Sequence, residues 1–354
     1  MVQAFAPITF GFTVLSLALS AAGVWGSIRI ARCVGAMDVP NERSSHSMPV
    51  PRTGGVPMVA AAALAFGGWT FLAVRGEASF LKELPHTFLF ALAMFLLGFY
   101  DDLRNLSALF RFLVQFVSAL LFLFFLPFLL PDVSLWEWVV PRWAWVVPGA
   151  FWVVWMLNLY NFMDGIDGLA GGEAAMASSF FFLVFAHYGQ SGWAVANVVV
   201  AAASMGFLVH NWPPARIFMG DAGSAFLGAF YGMQSVVAAL STDVPFPVLV
   251  LPFANFILDT TFTLFRRVIG GEKWYRAHRS HFYQRMTNLG MSHGKVTTIE
   301  LLVVAASSAA AAVFIPAGLP VRIALVVSVA VGIICGGGWV WRKERRGPGN
   351  RTIV

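Results

Sequence analysis

Residues 158–172 read NLYNFMDGIDGLAGG and place Asp164 and Asp167 three positions apart among glycines. Long apolar runs border this stretch, 143–159 before it and 171–187 after it. Each run approaches the roughly 20 residues that a helix needs to cross a bilayer. The pattern therefore predicts two membrane helices joined by a loop that carries paired carboxylates.

The composition of the whole chain agrees with this prediction. Of its 354 residues, 58% are hydrophobic and only 11% are charged, whereas soluble domains have about 25% charged residues. We therefore expect an all-α polytopic membrane protein with a single transmembrane domain over residues 1–354. The net charge of +6 favours cytoplasmic loops beside anionic headgroups over nucleic-acid binding. Cys33 and Cys335 lie far apart and predict free thiols rather than a disulfide or a zinc site.

Apolar runs separated by segments that contain glycine, proline and serine recur along the chain. Eleven of them are candidate membrane spans: 5–33, 54–74, 86–100, 109–131, 143–159, 171–187, 191–210, 223–240, 244–265, 299–316 and 320–341. No internal repeat and no separate soluble domain is evident. The sequence thus predicts about 11 transmembrane helices.

The basic residues predict the orientation of these spans. No lysine or arginine precedes the first apolar run, and Arg29 and Arg32 follow it, which favours an uncleaved first span with its N-terminus outside. This choice puts 19 of the 23 lysines and arginines on the cytoplasmic side, together with the C-terminus. The cytoplasmic segments would be the loops 34–53, 101–108, 160–170, 211–222 and 266–298 and the basic tail 342–354. The same side then holds Asp101, Asp102, Asp164, Asp167 and Asp221.

The adjacent Asp101 and Asp102 end one apolar run. Neighbouring carboxylates repel unless a cation neutralises them, and Mg²⁺ or Mn²⁺ with phosphate oxygens would do so. The alternative is a solvated helix end paired with Arg104. Asp164 and Asp167 would share a face of a helix, or would belong to an ordinary Asp-Gly turn. Asn161 and the small residues after Asp167 favour a site over a plain turn.

The segment 211–223 carries Asn211, Phe218 and a Gly-Asp-x-Gly sequence around Asp221. A carboxylate beside free helix N–H groups suits a metal–diphosphate cluster, although Asp221 could equally be a helix N-cap. Phe218 could stack on a nucleobase whose edge Asn211 would bind, or it could be an ordinary packed aromatic residue.

Two basic segments lie on the same side. The loop 266–298 contains His278, Arg279 and His281, and the loop 34–53 contains Arg43 and His46. Cationic groups next to acidic motifs predict an anion-binding half of a phosphate site, although the positive-inside rule alone would place arginines there. Asp259 lies inside a span, either as a functional acid or in an ion pair with Arg266 or Arg267.

Five segments in a fixed order resemble the polyprenyl-phosphate N-acetylhexosamine-1-phosphate transferase family (glycosyltransferase family 4). They are PNERSSHSMPVPRTGG, GFYDDLRN, NFMDGIDGLAGG, NWPPARIFMGDAGSAFLG and HRSHFYQR. The resemblance implies that a polyprenyl phosphate attacks the β-phosphorus of a UDP-amino sugar. The reaction would release UMP, require Mg²⁺ and give a polyprenyl-diphospho-sugar. It would take place on the cytoplasmic face of the bacterial inner membrane.

The resemblance also assigns residue roles. Asp101, Asp102, Asp164 and Asp167 take the positions of the catalytic acids, and Asp221, with Asp164, those of the metal ligands. The substrate-binding residues would be Asn161, Asn211, Phe218, Arg43, His46, His278, Arg279 and His281. Relatives often carry a third acid where this chain has Asn105, which does not support a full triple-carboxylate site.

The HRSHFYQR form resembles enzymes that start O-antigen or other surface polysaccharides. The alternatives are the peptidoglycan-precursor branch, which uses a muramoyl-pentapeptide donor, and, in another class, an ion-coupled transporter. The donor sugar (GlcNAc, GalNAc, FucNAc or QuiNAc) stays open. So do the polyprenol length, a covalent aspartyl-phosphate step and the oligomeric state, a homodimer included.

Overall fold

A computed structural model describes residues 2–35, 37–38, 49–73, 84–125, 133–135, 138–272 and 278–346. The helices are α1 Val2–Val34, α2 Gly55–Ala73, α3 Leu84–Arg104, α4 Ala108–Phe125, α5 Val146–Met163, α6 Leu169–His187, α7 Ser191–Asn211, α8 Gly220–Ser241, α9 Phe246–Val250, α10 Ala254–Ile269, α11 Phe282–Asn288, α12 His293–Phe314 and α13 Leu319–Arg346. A short hairpin, β1 Val133–Leu135 and β2 Trp138–Val140, and two 3₁₀ turns, Arg142–Trp145 and Leu251–Phe253, complete the described part.

Within these residues, 11 helical segments are long and apolar enough to cross a membrane. This number confirms the predicted all-α polytopic fold. One predicted span is interrupted: the segment Phe246–Ile269 consists of α9, the turn Leu251–Phe253 and α10. Pro252 supplies no backbone N–H at this point, which removes one helical hydrogen bond and favours a break in the α-helix.

Helix α8 lies at the centre of the bundle. In its most apolar stretch of 18 residues, 89% of the residues are buried. Glycines let its neighbours approach closely, as is usual where membrane helices pack. A Cβ on Gly228 would lie 2.6 Å from the Cα of Leu157 in α5, and one on Gly98 in α3 would collide with the carbonyl of Asp221. The close α3–α8 and α5–α8 contacts bring the ends of these three helices together.

Polar contacts inside the bundle join other helices. Ser16 and Ser20 of α1 donate to the carbonyls of Val199 (2.9 Å) and Ala203 (2.6 Å) in α7. By contrast, only 17% of the residues in the corresponding stretch of α4 are buried, and only 11% of those in α13. Their exposed apolar side chains form the outer, lipid-facing surface that composition predicts.

The ends of several elements differ from the predicted loops. Asp101 and Asp102 lie in the last turn of α3, and Asp221 lies in the first turn of α8. The short helix α11 forms inside the predicted loop 266–298. Ser292 caps α12 by accepting the N–H of Lys295, so this span begins at His293 rather than at 299.

Candidate active site

The two acids at the end of α3 have different partners. Asp101 is buried, accepts the N–H of Leu106 at 2.7 Å and pairs with the guanidinium of Arg111. Asp102 accepts the backbone N–H groups of Asp221 at 3.2 Å and Ala222 at 3.1 Å. Asp102 therefore caps α8, where the helix dipole favours a negative charge.

Arg111 of α4 connects the predicted catalytic acid Asp101 with the predicted metal ligand Asp221. Besides Asp101, its guanidinium lies 3.3 Å from Oδ2 of Asp221. In the sequence, Arg111 is one of the basic residues predicted on the cytoplasmic side, without a separate role. The feature that could have indicated a role for Arg111 is its position one turn inside an apolar run, soon after the acid pair. The positive-inside rule already explained an arginine at this position.

Asp221 begins α8 beside Gly220, whose φ of +77° favours glycine. A Cβ at position 220 would lie 3.0 Å from Oδ2 of Asp102 and would collide with the carbonyl of Arg52. The other oxygen of Asp221 accepts a hydrogen bond of 2.9 Å from Asn161 of α5. Asn161, predicted as a substrate-binding residue, thus orients the predicted metal ligand.

Asp164 follows the end of α5 and faces the same group of acids. Burial raises the pKa of the Asp164 carboxyl well above its usual range, and the nearby charges of Asp221 and Asp102 raise this pKa further. Four acids, from α3, α8 and the loop after α5, therefore collect beside two guanidiniums, that of Arg111 and that of Arg52, whose Nε lies 3.9 Å from Oδ1 of Asp102. Such an arrangement calls for an additional cation.

The chemistry of these donors suits Mg²⁺. Among the described residues, no three acids, histidines or cysteines are arranged to hold a metal ion by themselves. Mg²⁺ commonly uses only one or two carboxylates and completes its shell with water and substrate phosphates. Asp221 and Asp164 would hold it.

Asp167 takes another position. Its Oδ2 accepts the N–H of Ala215 at 3.0 Å, its Oδ1 lies 3.2 Å from Nδ1 of His293, and its carbonyl accepts from Thr297 at 2.7 Å. Residues 164–168 are not helical, so Asp164 and Asp167 do not share a helical face. Asp167 joins the loop to α12, and its catalytic assignment stays a prediction.

The predicted uridine contacts also bind the protein itself. The amide oxygen of Asn211 accepts the N–H of Gly168 at 2.9 Å, and its nitrogen donates to Ile217 at 2.8 Å. The backbone of Phe218 donates to Pro51 at 2.7 Å, and its side chain is half-buried. Asn211 thus fixes two loops to each other, and the uridine role of both residues stays a prediction.

The two histidines of HRSHFYQR lie together, with ring centroids 4.9 Å apart. His281 is buried, and its Nδ1 lies 3.3 Å from Oδ1 of Asp259. The same oxygen of Asp259 accepts the N–H of Phe282 at 2.9 Å, so Asp259 also caps α11. Asp259 thus pairs with His281, whereas Arg267 pairs with Glu272 at 2.6 Å, and a functional role of Asp259 stays a prediction.

His278 is more exposed, and its Nδ1 lies 2.9 Å from the hydroxyl of Ser280. Desolvation, together with the charges of His281, Arg267 and Arg266, lowers the pKa of His278 to about 4. Arg279 lies between the two histidines in sequence and is half-buried. The predicted residues Arg43 and His46 lie outside the described residues.

An elongated groove of about 650 Å³ begins at the acids and runs between α3, α4, α5 and α10. Asp101, Arg111 and Asp221 line its polar end, and Phe112 and Trp155 are among the side chains that line its apolar part. The charged end of the groove thus continues into a mostly apolar part. This shape fits an amphiphile with an anionic head and a long hydrocarbon chain.

The fold and the site define an integral membrane protein that brings carboxylates and cationic groups to the mouth of an apolar groove. The sequence pattern of Glycosyl transferase family 4 matches residues 84–239, which include α3, α5 and the start of α8. The chain is 31% identical, over 75% of its length and 73% of the relative's, to a protein of Bacillus subtilis described as a probable undecaprenyl-phosphate N-acetylglucosaminyl 1-phosphate transferase. It belongs to the polyprenyl-phosphate N-acetylhexosamine-1-phosphate transferase family.

Two further relatives differ in how much of the chain they match. A decaprenyl-phosphate N-acetylglucosaminephosphotransferase of Mycobacterium tuberculosis is 30% identical over 77% of this chain and 74% of its own. A phospho-N-acetylmuramoyl-pentapeptide-transferase of Lacticaseibacillus paracasei is 34% identical, but only over 43% of this chain and 50% of its own.

Proposed function

We propose that the protein transfers a HexNAc-type sugar-1-phosphate from a UDP-sugar to a polyprenyl phosphate, which we expect to be undecaprenyl phosphate. The products are UMP and a polyprenyl-diphospho-sugar. The observation that supports this most directly is the groove that leads from Asp101, Arg111 and Asp221 into apolar surroundings. We place the reaction at the cytoplasmic face of a bacterial inner membrane, as the first membrane step of O-antigen or another surface polysaccharide.

In the proposed reaction, an oxygen of the lipid phosphate forms a bond to the β-phosphorus of the donor. The bond from this phosphorus to the oxygen that bridges the two phosphates breaks, and UMP leaves with that oxygen. Such transfers depend mainly on positioning and charge neutralisation. Bound Mg²⁺ would supply charge neutralisation for the diphosphate.

The chain's own residues would position the two substrates. Arg111 reaches the polar end of the groove and can bind the lipid phosphate through its fork of N–H groups. The carboxylate of Asp101, paired with Arg111, is placed to orient that phosphate or to accept its proton. His278, Arg279 and the buried His281 would bind the diphosphate.

The extent of the similarity supports the HexNAc branch. Relatives described as N-acetylglucosaminyl phosphotransferases match about three quarters of the chain, and the muramoyl-pentapeptide transferase matches less than half. Membership of an enzyme family also favours the transferase over the ion-coupled transporter.

The decisive experiment measures UMP release by the purified protein with polyprenyl phosphate and Mg²⁺. The donors to compare are UDP-GlcNAc, UDP-GalNAc, UDP-FucNAc, UDP-QuiNAc and UDP-MurNAc-pentapeptide. We expect UMP with at least one simple UDP-HexNAc and none with the pentapeptide donor. Release only with the pentapeptide donor would place the protein in the peptidoglycan branch. Folded protein that releases no UMP with any donor would refute the proposal.

A further inference from the structure

Two buried glutamates lie inside the helical bundle, apart from the proposed active site. Glu173 of α6 is 0% exposed and Glu300 of α12 is 9% exposed. Their neighbours show that they lie at the same level, because a Cβ on Gly172 would lie 2.9 Å from a methyl group of Leu301. Ionised carboxylates are costly at such positions unless a positive charge compensates them.

Asn255 of α10 stands between the two glutamates. Its amide nitrogen donates to Oε2 of Glu300 at 3.2 Å, and its side chain and that of Glu300 both act electrostatically on Glu173. Within the described part of the chain, neither carboxylate oxygen of Glu173 has a hydrogen-bond partner, and the amide oxygen of Asn255 also has none. The cluster therefore has more carboxylate and amide oxygens than the two N–H groups of the Asn255 amide can satisfy.

A cavity of about 800 Å³ reaches Asn255 and Glu300 of this cluster from the side of α12 and α13, and Glu173 lies behind them. Asn255 and Glu300 line it, and Gly332, Gly336 and Gly337 of α13 leave room at its outer wall. None of the described residues that line it is a lysine, arginine or histidine. The described lining therefore supplies no positive charge to these carboxylates, and either a proton or a cation from solution must neutralise them.

The cluster also lies where a membrane helix is interrupted. Asn255 is the second residue of α10, directly after the 3₁₀ turn Leu251–Phe253. Interrupted membrane helices often form ion sites, because broken backbone and polar side chains supply oxygen ligands there. The interruption and the unpartnered oxygens are separate observations that indicate the same kind of ligand.

We propose that Glu173, Asn255 and Glu300 form a buried site for an alkali cation, Na⁺ or K⁺. The ligands would all be oxygens, which hard cations prefer. A divalent ion such as Mg²⁺ gives up its water reluctantly, and the mostly apolar cavity offers little to replace that water. The bound ion would hold α6, α10 and α12 together, one helical turn from Asp259, which orients His281.

Thermal unfolding of the full-length protein in detergent tests this site without any assay of transfer. The unfolding temperature is measured at several pH values, each with NaCl, KCl or N-methylglucamine chloride at equal ionic strength. We expect Na⁺ or K⁺ to raise it by roughly 2–4 °C in a saturable manner. The Glu173→Gln variant should lose this response. The Glu272→Gln variant should keep it, because Glu272 is an exposed acid paired with Arg267.

The wild-type series decides the matter even if Glu173→Gln does not fold. Equal unfolding temperatures in all three salts would overturn the proposal. An unfolding temperature that changes with pH but not with the cation would also overturn it, because protons would then satisfy the glutamates. Since transfer is not measured, failure of this site would not bear on the proposed transferase activity.

Discussion

Asp102 caps the helix that carries Asp221: its carboxylate accepts the backbone N–H of Asp221 at 3.2 Å and that of the next residue at 3.1 Å. The end of α3 and the start of α8 are thereby held in one arrangement. Asp101, one position earlier, instead pairs with Arg111. The adjacent acids therefore have separate structural tasks.

Removal of this cap should lower stability before any substrate binds. We expect Asp102→Ala to destabilise the protein by about 1 kcal/mol, the usual effect of losing an N-cap. Asp102→Asn should recover part of this loss, because asparagine also caps helices well. Thermal unfolding of the substrate-free protein measures both effects. Asp243→Ala, at an exposed acid remote from the pair, is the control, and equal stability of all variants would contradict the capping role.

Substitution of Arg111 should raise the KM for the lipid substrate more than the KM for the nucleotide sugar. Hydrogen bonds to charged groups contribute about 1.5–3 kcal/mol, so Arg111→Leu should raise the KM for polyprenyl phosphate by roughly 10–100-fold. Initial rates at varied lipid and varied donor give the two KM values separately. Arg104→Leu, at an exposed arginine of α3, should leave both unchanged. A rise confined to the KM of the UDP-sugar would assign Arg111 to the other substrate.

The ionised Asp164 carboxylate should lower the unfolding stability of the protein when no metal ion is bound. Its pKa is raised in the folded protein, so its ionisation lowers stability as pH rises above the value of about 3.9 found in unfolded chains. At neutral pH without Mg²⁺, we expect Asp164→Asn to raise the unfolding temperature while it abolishes UMP release. Added Mg²⁺ should stabilise the wild-type protein and stabilise this variant less. An equal response to Mg²⁺ in both proteins would exclude Asp164 as a ligand.

Gly165 should tolerate no side chain while Tyr283 keeps its hydroxyl. A Cβ at position 165 would collide with Oη of Tyr283, which donates to the carbonyl of Phe162 at 2.8 Å. Gly165→Ala should therefore displace the loop that carries Asp164 and lower both stability and activity. Adding Tyr283→Phe should restore part of the stability, in the manner of a coupled double-mutant cycle. Additive losses in the double variant would show that the collision is not the cause.

His278 gives the folded protein a predictable response to pH. Its pKa of about 4 lies below the value of about 6.5 expected in the unfolded chain. Between these values the unfolded chain binds more protons, so the contribution of His278 raises stability as pH increases from 4 to 6.5 and is constant above that range. Asp164 acts in the opposite sense, so the informative quantity is the difference between the wild-type protein and His278→Gln.

Unfolding temperatures at several pH values check this expectation. The difference between the two proteins should change with pH below about 6.5 and stay constant above it. His187→Gln, at an exposed histidine at the end of α6, should show a different profile. A constant difference across the whole range would mean that the pKa of His278 is not lowered.

The membrane architecture could be predicted because hydropathy acts on every residue of a span. The interruption at Leu251–Phe253 was not predicted, because the residues around it are as apolar as those of a continuous helix. Pro247 and Pro252 were the signals. The grouping of Asp101, Asp102, Asp164 and Asp221 followed from their shared membrane face.

The contact partners of individual side chains could not be predicted from the sequence. Adjacent residues such as Asp101 and Asp102 point in different directions at a helix end, and sequence spacing alone does not assign those directions to neighbours. Asn105 illustrates the same limit. It adopts a φ of +50° and donates its N–H to the carbonyl of Asp101 at 2.8 Å, a conformation that asparagine accepts more readily than most residues.

The groove of about 650 Å³ passes exposed apolar side chains of α4 and α5, such as Phe112 and Phe151. A lipid that enters there diffuses in two dimensions, whereas a nucleotide sugar arrives from three-dimensional solution. The rate should then follow the mole fraction of polyprenyl phosphate in the bilayer or micelle and the molar concentration of the nucleotide sugar. Extra detergent at constant total lipid substrate should slow the reaction by surface dilution, with no inhibitor present.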